Sequence, residues 1–190
     1  MIDRVNLVRG LARARVPLGF GSGALVFLLA APTRETLALG TAVAVIGESL
    51  RIWAAGHLNK AREVTTSGPY RWTAHPLYAG SAIIGVGLAI ACDRVSVAII
   101  VAAYIIVTVT AAVKDEEILL RSRFGADYDR YRRHGLVDDH RRFSLALAMS
   151  NREYRALAGL ALALLLLGWK ATYNEPFWRT AGTRSVRPGG

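Results

Sequence analysis

A single cysteine, Cys92, stands in a chain of 190 residues. It cannot make an intrachain bridge, so a disulfide-stapled secreted scaffold is excluded. Acidic residues are scarce as well: 14 Asp and Glu face 24 Lys and Arg, leaving a net charge of +10 and a pI near 10.5. In a soluble domain this imbalance would suggest nucleic-acid binding, but no base-reading motif accompanies the charge, and no nucleic-acid partner is expected. Low-complexity disorder is excluded too, because 53% of the residues are hydrophobic and mean hydropathy is +0.29. The longest segment between apolar runs, residues 114–155, falls well short of the ~100 residues of a compact soluble domain. Gly19, Gly23, Gly80, Gly85 and Gly87 follow no strand, so they read as positions where helices pack closely rather than as a phosphate loop.

What is present is a separation of apolar runs from arginines. A hydrocarbon core of ~30 Å needs ~20 helical residues. Five stretches qualify, at residues 16–31, 36–55, 77–92, 95–113 and 156–169. A polar turn of Pro32, Thr33, Arg34 and Glu35 joins the first two, and Asp93 with Arg94 alone joins the third and fourth into a tight hairpin. The fifth is only ~21 Å long and needs its flanks or a thinned bilayer to cross. The expected fold is therefore all-α, an integral membrane helical bundle of about five transmembrane helices in one membrane-embedded domain over residues 1–190. The arginine-rich start before an apolar core has the look of a signal peptide, but a second span four residues later that pairs with the first favours a retained helix.

Basic residues cluster before the first span, between spans two and three (Lys60, Arg62, Arg71), and above all in residues 114–155. These segments share one side if every span crosses, while Arg34 and Arg94 mark the two tight turns opposite. The positive-inside rule then makes the protein multi-pass, with the amino terminus and both long loops cytoplasmic. The same arginines can grip anionic membrane lipids.

Two segments carry chemistry. In the first, residues 56–80, Thr65, Thr66, Ser67, Gly68 and Pro69 form a turn cluster, Tyr70 and Trp72 suit the interface, and Pro76 starts a helix. The amides of Leu77, Tyr78 and Ala79 would then be free to receive an anionic or acceptor group. A proline-initiated helix with aromatic anchors and no ligand fits that spacing equally. In the second, Lys114, Asp115, Glu116 and Glu117 sit where span four leaves the membrane. Leu120, Phe124, Tyr128 and Tyr131 then form an amphipathic stripe, expected to lie on the membrane surface or fold over the first loop. Glu48 and Arg51, three residues apart in span two, are expected to pair structurally near the cytoplasmic interface. Residues 134–140, with His134, Asp138, Asp139 and His140, read as a solvated loop rather than a metal site, so no metal is expected.

Together these segments resemble the isoprenylcysteine carboxyl methyltransferase family and related membrane methyltransferases, phospholipid N-methyltransferases among them. The shared pattern is Ser67-Gly68-Pro69-Tyr70, then His75-Pro76-Leu77-Tyr78-Ala79-Gly80, then Glu116-Glu117, Phe124-Gly125, Tyr128 and Tyr131. The likeness covers residues 59–131 as a methyltransferase-like core, followed at 132–190 by a basic cytoplasmic segment, the fifth span and a polar tail. It implies a methyl transfer from S-adenosylmethionine to a lipophilic small molecule or lipid whose carboxyl, amine or thiol group it does not specify. The implied donor site is Glu63, Val64, Thr65, Tyr70, His75, Pro76, Leu77, Tyr78 and one of Glu116 or Glu117. Two positions depart from the family pattern: Ala74 replaces an arginine before His-Pro, and Ala112 falls where an arginine holds a substrate carboxylate. A prenylcysteine carboxylate is therefore not supported as acceptor. A non-catalytic membrane scaffold of the same fold is the alternative, and an NADPH-using membrane reductase fits the Glu-Glu and Phe-Gly elements less well.

Overall fold

A computed structural model of the chain describes residues 18–59, 64–126, 128–129 and 141–173. Every element among them is helical, in agreement with the all-α bundle read from the sequence. The apolar helices are α1 (Leu18–Leu29), α2 (Arg34–Ala55), α3 (Pro76–Cys92), α4 (Val95–Phe124) and, after the short α5 (Leu145–Ser150), α6 (Tyr154–Ala171). Three of them, α2, α4 and α6, are long and apolar enough to cross a membrane, and α1 and α3 are shorter.

Local chemistry sets the helix ends, in places differently from the sequence reading. Arg34 and Glu35 are not turn residues but the first residues of α2, because Thr33 caps it. Its hydroxyl accepts from the Thr36 amide at 3.2 Å while the Thr36 hydroxyl accepts from the Thr33 amide at 3.0 Å, a reciprocal capping box. At α3 the proline at N1 costs no hydrogen bond, and Asp93 in the left-handed conformation (φ 51°) turns the chain directly into α4. The helix α4 does not end at residue 113 but runs 30 residues, ~45 Å, to Gly125 at φ 46°. Leu120 and Phe124 thus prolong the spanning helix past the hydrocarbon instead of forming a separate surface helix. Tyr128, after the break, is 1% exposed; Tyr131 lies outside the described residues. The fifth apolar run gains a turn's worth of length from its flanks, so α6 reaches ~27 Å.

The antiparallel pair α2 and α3 forms the spine. A Cβ added to Gly47 would sit 2.7 Å from the Gly80 carbonyl oxygen, and one added to Gly87 would sit 2.5 Å from the Ala44 nitrogen. Backbone meets backbone there, the small-residue packing that substitutes for a hydrophobic driving force between helices in lipid. The other glycines divide: Gly85 receives Val101 and Ile105 of α4, whereas Gly23 meets nothing within 4 Å. At one end of the bundle Ala30, Ala91, Cys92, Val97 and Leu167 close a small core, tied by the Ala31 amide on the Cys92 carbonyl (2.9 Å) and by Lys170 Nζ on the Leu28 carbonyl (2.8 Å). Outward, Phe20, Leu28, Val95, Ile99, Ile106 and Leu165 are exposed, a surface suited to lipid and costly in water.

The opposite end gathers residues 56–59, 64–75 and 141–153. At the end of α2 the Ile52 and Ala54 carbonyls accept from the amides of Gly56, His57 and Leu58, and the chain from far downstream caps the carbonyls beyond them. Asn151 Nδ2 donates to Ala55 O (2.9 Å) and Leu58 O (2.8 Å), and the Ser144 amide donates to Gly56 O at 3.0 Å. His57 and Ser67, both buried, hydrogen bond at 3.1 Å between Nδ1 and Oγ, and the Asn59 amide reaches Thr65 Oγ1 at 3.4 Å. Gly68, at φ 57° and against the His57 ring, then starts the 3₁₀ turn Gly68–Arg71 that buries Tyr70.

Two outcomes are expected from this packing. Gly47→Leu or Gly87→Leu forces the spine apart and should cost at least the ~1–3 kcal/mol of core overpacking. Loss of the monodisperse peak and a lower melting temperature in detergent would register it, while Gly21→Ala, in open space, stays at the parent value. Gly68→Ala combines a left-handed backbone with a clash on the imidazole. Limited proteolysis should then cut the segment before Tyr70 several-fold faster, and an unchanged cleavage rate would refute the clamp.

Candidate functional site

The clamp holds the loop over a cavity of about 1050 Å³ bounded by α1, α3, α4, residues 64–75 and residues 151–156. Small-molecule sites span roughly 300–1,000 Å³, so there is room for more than one reactant. The cavity follows α3 from Pro76 to Leu88, a distance of ~18 Å. Its far half is apolar, walled by Val26, Leu88, Ile100, Val101 and Ile105, and its near half is polar.

The residues singled out in the sequence converge on that polar half. Val64, Thr65 and Tyr70 reach it from the loop, His75, Pro76, Leu77 and Tyr78 from the start of α3, and Glu116 from α4. Glu117 is not part of the wall but stands behind His75, its carboxylate 3.5 Å from Nε2, while the Glu116 carboxylate is 3.8 Å from Nδ1. Both separations exceed hydrogen-bond length, and the two ring nitrogens are buried without a hydrogen-bond partner. The rings of His75 and Tyr78 lie 5.9 Å apart. Glu63 lies outside the described residues.

The helix start is less open than expected. The Tyr78 and Ala79 amides both donate to the His75 carbonyl at 3.1 Å, so two of the three amides expected to face a ligand are satisfied. His75 is the N-cap, so its carbonyl accepts the first bond of the helix from Ala79 and shares it with Tyr78. Ala74 and Ala112 both line the cavity, so the two arginines missing relative to the family pattern are missing from its wall. Among the described residues no group of three or more His, Cys, Asp or Glu could hold a metal ion, and residues 134–140 are outside them.

The sequence shows only part of a second cluster, the pair of Glu48 and Arg51. Arg51, near the end of α2, lines the cavity together with Ser81, Asn151, Arg152 and Glu153. Its Nε lies 2.7 Å from Glu153 and 3.7 Å from Glu48, and its Nη1 donates to Ser81 Oγ and, at 3.4 Å, to the Leu77 carbonyl. The expected pairing of Glu48 with Arg51 is present but is the looser of the two contacts. No spacing could have revealed the tighter one, because Glu153 precedes a different apolar run and only folding brings it to α2.

Residues 36–127 match the sequence profile of the family described as phospholipid methyltransferase. That match begins upstream of the motifs and takes in α2, and so Arg51. The nickel-cobalt-cadmium resistance protein NccN of Alcaligenes xylosoxydans xylosoxydans is 32% identical over 97 residues, 50% of this chain and 44% of that protein. The chain thus spans less than half the length of this relative. No solved structure matches. The segment that builds α2, α3 and α4, with most of the cavity wall, is thus the part of the chain that is similar to the phospholipid methyltransferases, a family of membrane methyltransferases.

Proposed function

We propose that the protein transfers a methyl group from S-adenosylmethionine to a lipophilic acceptor that enters from the bilayer. The observation that carries this reading is the single cavity with two chemistries: a polar end at His75, Tyr78 and Glu116, and an apolar end between α1, α3 and α4. The fit to such a donor is supported by the buried ring nitrogens of His75, which make no hydrogen bond and have the Glu116 and Glu117 carboxylates only at 3.8 and 3.5 Å. Val64, Thr65, Tyr70 and the run from His75 to Tyr78 would hold it, with Glu116 or Glu117 across from them and Glu63 adjoining in the loop.

When bound, the donor supplies an electrophilic methyl group on a sulfonium. The protein's part is alignment and exclusion of water, which needs neither a nucleophilic triad nor a metal. Tyr78 and His75 would orient the donor, and the apolar wall would hold the acceptor's hydrocarbon in line with it. A carboxylate or thiolate acceptor arrives ionised; an amine would need its proton removed, with Glu116, Glu117 or His75 as the base. Glu117, behind the imidazole, would keep the ring turned toward the cavity.

Calorimetry on the detergent-purified protein should show binding of S-adenosylmethionine, weakened at least tenfold by His75→Ala and by Tyr78→Ala without loss of folding. Absence of binding by the parent protein, to the donor and to its demethylated product alike, would sink the reading. The cytoplasmic placement of the site makes a separate claim. In a Cys92→Ala background, Trp72→Cys should react with an impermeant thiol reagent in inside-out vesicles and Arg94→Cys in right-side-out ones. The reverse pattern would invert the topology.

A further inference from the structure

We propose that Glu153, on the turn before α6 and outside the family-matched segment, is a positioning residue that fixes the start of α3 through Arg51. The proposal rests on the reading of the cavity as the methyl-transfer site, but its first test does not.

Stability alone does not account for this cluster. Side-chain exposure is 4% for Glu48, 9% for Glu153 and 19% for Arg51. Buried charges in such a setting are often no better than apolar residues of similar volume, because desolvation offsets their attraction. What the cluster does accomplish is geometric. A Cβ on Gly80 would lie 2.5 Å from Arg51 Cγ, so the arginine stem crosses α3 at the glycine and can only run along that helix. There Nη1 reaches Ser81 Oγ and the Leu77 carbonyl, and Ser81 Oγ itself donates to Leu77 O at 2.9 Å. The first turn of α3, which presents His75, Leu77 and Tyr78 to the cavity, is thereby tied to Arg51.

Two carboxylates compete for that guanidinium. Glu48, one turn back on the same helix, would draw it away from α3; Glu153, at 2.7 Å, holds it in place. The turn that carries Glu153 is itself fixed at some cost. Arg152 takes a left-handed backbone (φ 62°), which disfavours a non-glycine residue by ~1–2 kcal/mol, and Asn151 pins the turn to the end of α2 through two hydrogen bonds. Strain held by surrounding structure is a feature of sites where geometry matters. When Glu153 is removed, Arg51 should relax toward Glu48, releasing Ser81 and Leu77.

The direct test is hydrogen exchange on the full-length protein in detergent. Glu153→Ala should raise exchange several-fold in residues 77–82 without any ligand. Lys170→Met, which loosens α6 at its other end, should lower thermal stability but leave those amides protected. S-adenosylmethionine affinity should fall at least fivefold for Glu153→Ala, fall comparably for Glu153→Gln, which keeps the volume but removes the charge of an ion pair that makes no hydrogen bond, and stay unchanged for Lys170→Met. Unchanged exchange in Glu153→Ala overturns the proposal, as does equal loss of affinity in Glu153→Ala and Lys170→Met. A parent protein that binds no donor but shows the exchange difference would overturn the methyltransferase reading and leave the positioning role standing.

Discussion

The backbone contact between α2 and α3 is the constraint on which the remainder of the structure depends. Inside lipid, apolar side chains gain little by touching one another, so two helices hold together where their backbones come close. Gly40, Ala44 and Gly47 on one helix and Gly80, Gly87 and Ala91 on the other allow that approach. The same contact fixes where Arg51 emerges, since its stem lies on Gly80, and Arg51 fixes the first turn of α3. Packing and site geometry are therefore one arrangement: side chains at these glycines would open the spine and displace the polar wall together.

The cavity follows from the unequal lengths of the helices. Because α4 continues to Phe124, beyond the hydrocarbon, its acidic turn at Asp115, Glu116 and Glu117 stands level with the proline-initiated start of α3. The loop between α2 and α3 is folded back over both by the His57 to Ser67 hydrogen bond and by Asn151 and Ser144 on the end of α2. One end of the resulting space is polar and partly shielded from water, and the other is bounded by apolar side chains of three helices. The proposed methyl transfer would use such a space, the polar end for the donor and the apolar end for the hydrocarbon portion of the acceptor.

The polar residues inside this bundle act at long sequence separation. Asn151 closes the end of a helix almost one hundred residues earlier, and Glu153 shares the arginine of that helix with Glu48. None of these contacts has a periodicity or a motif. The local signals were of a different kind: Pro76 marks a helix start by its chemistry, Gly125 a helix stop, and the Thr33 and Thr36 pair a cap that extends α2 into what had read as a turn. The expectation of open amides at α3 failed because His75 is the N-cap, so the Ala79 amide makes the first ordinary helical bond to its carbonyl and the Tyr78 amide shares that acceptor.

By itself the sequence determined the helical class, the places of the apolar runs and the two tight turns, because these depend on hydropathy and local backbone preference along the chain. The motif order from Ser67 to Phe124 also carries the likeness to the membrane methyltransferases, because it is a matter of residue identity and spacing alone. Only the tertiary structure decided that Val64, Thr65, Tyr70, His75 and Glu116 share one wall, that Glu117 stands behind it, and that Glu153 reaches Arg51. Those are relations between helices: glycines along the chain mark where a close approach is possible and a three-residue spacing marks a possible pair, but which helix arrives there, and which distant charge reaches it, is decided only when the chain folds.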